Sequence, residues 1–229
     1  MADVPTRTQE TPAPGEPLTR RRFIARIAGG ALTVSAVAGG GLLASWGTGS
    51  DAVACVRPPG ALPEDDFLAL CIRCGRCGDA CPNRCIAPFT EESGAEVSLS
   101  PGYRQVNTPV IFPRRQACML CNNQDGDYLR CTEACPTGAL QLTHRTTEAI
   151  QSDVRMGVAE VDTNLCYSFN GASCGVCVRA CPFEGQALQA GMWEKPLVDP
   201  ETCVGCGLCE RSCIRYPQAI RVRPSMEER

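Results

Sequence analysis

Histidine is almost missing from these 229 residues: His144 stands alone, and one imidazole cannot build the multi-histidine sites of catalytic zinc or copper proteins. Aromatic residues make up only 5%, too little ring area for an ordinary apolar core. Lysine is reduced to Lys195 against 21 arginines, and the formal net charge is −3. Past residue 54 there are 17 basic and 21 acidic residues, a net of −4, so nucleic acid is no partner for this chain. No long apolar run follows residue 54, and the remainder reads as a soluble body. Neither a paired nucleophile and base nor an open metal position is visible, which points away from substrate chemistry.

Cysteine is also missing, but only from residues 1–54. All 18 cysteines fall in the remaining 175 residues, roughly one in ten, a density at which cysteine chemistry carries the fold.

The cysteine-free segment reads as an address. Residues 1–18 are rich in Pro, Thr and Glu without apolar period, a composition of disorder. Thr19-Arg20-Arg21-Arg22-Phe23-Ile24 then precedes a Gly-diluted apolar stretch at 27–46 and the small residues Ala52-Val53-Ala54. Paired arginines before a bulky apolar residue resemble a twin-arginine signal, the route for proteins exported already folded. Export after folding suits iron-sulfur clusters, which must be built before an oxidising compartment pairs the thiols. Two outcomes stay open: cleavage after Ala54, or retention of 27–46 as a membrane anchor helix. A plain signal or anchor, and a lipid-modified Cys55, are lesser alternatives.

Sixteen cysteines form four groups, at 71–85, 118–140, 166–188 and 203–220. Group one is Cys71-x2-Cys74-x2-Cys77-x3-Cys81-Pro82, and group four is Cys203-x2-Cys206-x2-Cys209-x3-Cys213, with Ile214 in place of Pro. This is the spacing of bacterial ferredoxins, in which three thiolates of one loop wrap one [4Fe-4S] cluster and the fourth reaches its neighbour. Group two (Cys118, Cys121, Cys131, Cys135-Pro136) and group three (Cys166, Cys174, Cys177, Cys181-Pro182) carry one insertion each. Pro after the fourth cysteine suggests that this cysteine opens a helix. Val161-Asp162 and Val198-Asp199 lead into groups three and four, and Ala139-Leu140, Ala187-Leu188 and Ala219-Ile220 follow groups two, three and four as short strands. Each unit is therefore strand, ligand loop, helical turn, strand.

The expected fold class is α+β: two ferredoxin-like dicluster modules at 55–229, behind the 1–54 leader. Four cysteines per cubane give four [4Fe-4S] clusters. Disulfides and structural zinc are the competing uses of such cysteines, but neither calls for a fourth cysteine at x3 before Pro. The symmetry of the insertions pairs the regular groups one and four, and the interrupted groups two and three. The expected sets are Cys71, Cys74, Cys77 with Cys213; Cys203, Cys206, Cys209 with Cys81; Cys118, Cys121, Cys131 with Cys181; and Cys166, Cys174, Cys177 with Cys135. Cys85 reads as a small buried residue near the first cluster with no ligand role, and His144 as a surface side chain.

Together these features resemble the MauM/NapG family of periplasmic ferredoxin-type proteins. The likeness is carried by Thr19–Phe23, Arg57-Pro58-Pro59-Gly60-Ala61, Phe67 leading into Cys71-Ile72-Arg73-Cys74-Gly75, Arg155-Met156-Gly157, and the Cys166–Cys174 insertion with Asn170-Gly171. The match spans roughly 19–223, and the Asn122–Arg130 insert departs from it. The resemblance implies an electron carrier without a substrate site of its own, at the outer face of the cytoplasmic membrane. Its nitrate-linked branch implies relay from a membrane-bound quinol-oxidising ferredoxin-like protein to a periplasmic redox enzyme or small cytochrome acceptor. Its methylamine-linked branch implies an accessory or maturation ferredoxin for methylamine dehydrogenase.

Overall fold

The chain from residue 52 to residue 225, the part described by the computed structural model, alternates very short elements with cysteine loops. In order they are α1 (Glu64–Leu70), α2 (Arg76–Asp79), β1 (Ile86–Pro88), α3 (Glu91–Ala95), β2 (Pro109–Ile111), α4 (Arg130–Glu133) and α5 (Thr147–Asp153). There follow β3 (Gly157–Val161), α6 (Val176–Arg179), β4 (Leu188–Ala190), β5 (Pro196–Val198), α7 (Leu208–Ser212) and β6 (Ile220–Pro224). The twin-arginine-like segment and the 27–46 run lie outside the described residues, and among the described residues no helix is long and apolar enough to cross a membrane.

Groups three and four form one module. β3 enters group three and β6 leaves group four, and they pair antiparallel with Val161 opposite Ile220 and Ala159 opposite Val222. β4 leaves group three, turns through 191–195, and pairs antiparallel with β5 entering group four, Leu188 opposite Val198. Alternation along β6 buries Ile220 and Val222 and exposes Arg221, as a strand covered on one face requires. Groups one and two repeat the scheme. β1 leaves group one and pairs with β2 before group two, Ile86 opposite Ile111. The outer pair has shrunk to a single bridge, Ala61 to Leu140.

The expected pairing of groups one with four and two with three is therefore wrong. Helices α2 and α4 pack on each other, as do α6 and α7, so neighbouring repeats pair in sequence. A return between neighbouring repeats costs less closure entropy than a connection spanning the two repeats between groups one and four.

The fourth cysteine also sits differently from expectation. Helices α2, α4, α6 and α7 contain the third cysteine of each group, Cys77, Cys131, Cys177 and Cys209, and end just before the fourth. In three groups the following Pro explains this, because it pushes the residue before it out of the helical region.

Cysteine is part of the core. One buried cluster joins Phe67, Leu129, Ile111 and Val204 with Cys77, Cys85, Cys118, Cys131 and Cys206. Its N-terminal edge is held by Arg57, only 7% exposed. The Arg57 guanidinium donates to both carboxylate oxygens of Glu64, to Thr108 Oγ1 and to the Pro109 carbonyl, and lies 4.7 Å from the Phe67 ring centroid.

Candidate metal centres

The sixteen cysteines singled out from the sequence gather in four sets of four, regrouped from the expected ones. Cys77 faces Cys71, Cys74 and Cys135. Cys81 joins Cys118, Cys121 and Cys131 around a cavity of about 270 Å³. Cys181 lines a third cavity with Cys203, Cys206 and Cys209, and Cys213 a fourth with Cys166, Cys174 and Cys177. Each set takes three sulfurs from one repeat and the last from its partner. All eighteen cysteines are free thiols.

Backbone amides are aimed at the sulfurs in a repeated way. The N–H two residues past the cysteine donates to Cys118 from Leu120 at 3.4 Å, and likewise to Cys206 from Leu208. At the Cys-Pro turns the same offset brings the N–H of Asn83 to Cys81, of Thr137 to Cys135 and of Phe183 to Cys181. Pro itself has no N–H, so the turn presents the next amide instead. Arg130 N–H adds a bond to Cys121 Sγ at 3.4 Å.

Burial raises some of the thiols, while hydrogen bonding from Cys85 outweighs burial at Cys81, which is lowered to about 6, and also lowers Cys118. Burial pushes Cys77 and Cys177 up to about 11 and Cys206 up to about 12, because a thiolate in an apolar pocket lacks solvation. A bound cation reverses that penalty. Thiols alone, four to a set, most of them buried or half-buried and several met by amide donors, are the donor set that iron-sulfur clusters use. Among the described residues no three His, Cys, Asp or Glu side chains are arranged around a single metal ion. The four sets fit [4Fe-4S] clusters.

The sets adjoin one another in the order first, second, third, fourth. Cys131 of the second set lies within electrostatic range of Cys77 in the first, Cys206 of the third within range of Cys118 in the second, and Cys209 of the third within range of Cys177 in the fourth. Between the modules, Cys118 N–H donates to the Cys206 carbonyl at 2.9 Å. The Arg114 guanidinium braces the same junction, donating to the carbonyls of Glu210, Arg211 and Cys213 at the end of α7. At one end of this order Cys74 is exposed beside Ile72, 63% exposed; at the other, Ile214 and Tyr216 are exposed beside Cys213.

Two residues carry more than the sequence suggested. Cys85 is buried as expected, but it lines the second cavity, with its Sγ 3.5 Å from Cys81 Sγ. Its place four residues past Cys81, absent from the other groups, is the signal that could have marked it. Arg57, quoted only as part of a family-like segment, proves to be the buried cation of the network with Glu64. His144 is exposed as expected and packs on Tyr128, ring centroids 4.4 Å apart. The Asn122–Arg130 insert, which carries Tyr128, is tied down by Arg130 donating to the Asp125 carbonyl at 2.7 Å.

Comparison with known proteins agrees with this chemistry. One 4Fe-4S binding domain model matches residues 196–214, and a second matches 68–87 and 164–185. The methylamine utilization ferredoxin-type protein MauM of Paracoccus denitrificans is 37% identical, over 90% of this chain and 88% of its own length. The MauM protein of Methylorubrum extorquens is 38% identical over 83% of each chain. The ferredoxin-type protein NapG of Escherichia coli is 35% identical, over 90% of this chain and 85% of its own.

Proposed function

The chain belongs to the MauM/NapG family of ferredoxin-type proteins, and from that premise we propose that it is an electron relay holding four [4Fe-4S] clusters in one row. Its ligands are Cys71, Cys74, Cys77 and Cys135; Cys118, Cys121, Cys131 and Cys81; Cys203, Cys206, Cys209 and Cys181; and Cys166, Cys174, Cys177 and Cys213. The chain is exported folded by the twin-arginine route. In the periplasm it takes electrons from a membrane quinol-oxidising ferredoxin-like protein and passes them to a reductase system of the nitrate reductase type. It has no substrate site of its own.

The observation that supports this reading is the order of the sets. A protein using clusters only as internal braces has no need to string them into a line with an exposed edge at each end. Each cluster, when bound, exchanges one electron. The protein's share is to fix the spacing through loops shared between neighbouring sets, to keep water from the sulfurs, and to aim amides that stabilise the reduced form. The Cys118–Cys206 hydrogen bond carries the row across the module boundary.

A second reading is an accessory or maturation ferredoxin for a periplasmic dehydrogenase such as methylamine dehydrogenase. It draws on the relatives named for methylamine utilization. Deleting the chain and assaying the terminal enzyme twice separates the two readings. The relay predicts loss of quinol-dependent turnover with full activity from an artificial donor. Equal loss of both means the enzyme was never matured, and the second reading replaces the first.

A further inference from the structure

The second thiol set contains one sulfur too many. Cys118, Cys121, Cys131 and Cys81 supply the four corners of a cubane, yet Cys85 faces the same cavity and is only 4% exposed. Its Sγ is 3.5 Å from Cys81 Sγ, the reach of an S–H···S hydrogen bond. Cys118 lines the same cavity. The fifth thiol therefore lies against a ligand sulfur.

Its position is built. Arg84 N–H bonds back to the Cys81 carbonyl at 3.0 Å, with Arg84 at a positive φ of 48°, and β1 starts immediately afterwards at Ile86. This tight return swings Cys85 back over Cys81. The corresponding positions, four past the last cysteine, are Ala139, Gly185 and Pro217 in the other groups. None can donate from a side chain, so a donor at this position belongs to the second set alone; in the first set the Thr137 hydroxyl, two past the last cysteine, stands 3.7 Å from Cys135 Sγ.

We propose that Cys85 is a non-ligating positioning thiol, whose S–H donates to a ligand sulfur of the second cluster and raises that cluster's reduction potential. The physics is the same as for an amide donor: a hydrogen bond to a thiolate sulfur withdraws electron density and favours the more negative, reduced cluster. A protonated Cys85 brings a donor without adding charge, whereas a fifth thiolate would oppose reduction. The second cluster adjoins the module boundary, so a raised potential there makes an electron rest at the Cys118–Cys206 crossing. This rests on the four-cluster reading above.

The test uses the full chain, reconstituted anaerobically, with Cys85→Val filling the space without a donor and Cys85→Ser keeping one. Both variants should hold the wild-type iron content. In EPR-monitored titrations the valine variant should show one of four midpoint potentials shifted downward and three unmoved, while serine restores most of the shift. Resonance Raman should show an Fe–S(Cys) band whose D2O shift shrinks in the valine variant. Unchanged potentials in Cys85→Val, or a common shift of all four, would overturn the proposal. So would loss of about four irons from that variant, since Cys85 would then be a ligand or a packing residue. A wild-type chain that never reaches about sixteen irons fails the cluster reading itself and takes this proposal with it.

Discussion

The backbone N–H of Cys118 donates to the carbonyl of Cys206 at 2.9 Å, joining the first residue of group two to the middle of group four across the module boundary. Gly207 lies at the same place with φ +82°, and a Cβ there would stand 2.5 Å from the Pro113 side chain. Gly207→Ala should therefore cost roughly 1–2 kcal/mol for the left-handed conformation alone and push the modules apart. Flash reduction followed by freeze-quench EPR should show fast exchange within each cluster pair and slowed exchange between pairs. Unchanged exchange between pairs would place the crossing elsewhere.

The sequential pairing makes a counting prediction. Cys77 and Cys135 belong to one set, so replacing both by Ser should remove no more iron than replacing either, about four atoms. Cys135 and Cys166 belong to different sets, and that double replacement should remove about eight. The pairing expected from the insertions, with Cys135 joining Cys166, Cys174 and Cys177, predicts the reverse in both cases.

The sixteen thiols that gather into four sets were legible in the sequence, because x2-x2-x3 spacing is a local constraint and survives insertions. So were the strands at Val161, Leu188 and Ile220, whose apolar residues stand at fixed offsets from the cysteines. Pairing was not legible. Four similar repeats can be matched in several ways, and the insertions in groups two and three, which look like a shared trait, lie outside the strands that decide the match. What decides it is the short return from β4 to β5 and its counterpart from β1 to β2. The role of Cys85 was hidden for a related reason: only the backward turn at Arg84 brings it over Cys81. Arg57 and Glu64 are near in sequence, but Thr108, which completes the network, is 51 residues from Arg57.

That network sets a pH dependence. Burial alone would raise the Glu64 carboxyl, but the hydrogen bond and charge of Arg57 outweigh it and hold it below the ordinary glutamate value. A carboxyl lowered in the folded state stabilises fully above its unfolded value, about 4.3, and loses that contribution as pH falls through the folded value. Glu64→Gln should cost on the order of 2 kcal/mol at pH 7, since it leaves a buried guanidinium without its partner charge. Urea unfolding at successive pH values should show the gap to wild type closing below about pH 4. A gap independent of pH would mean that packing, not charge, carries the contact.

Export is testable apart from the fold. Replacing Arg20 and Arg21 together by Lys should hold the protein in the cytoplasm with clusters intact, because the twin-arginine receptor reads the paired guanidinium groups. Normal export of that variant would mark residues 19–46 as a plain signal or anchor.

The claim beneath all of these is that sixteen thiols hold four cubanes, and the direct measurement is anaerobic iron and acid-labile sulfide analysis of the full chain purified from a reducing cytoplasm and fully reconstituted. The account predicts about sixteen irons and an equal amount of sulfide per chain. About eight irons or fewer would contradict it, leaving at least two of the thiol sets without the clusters that the row requires.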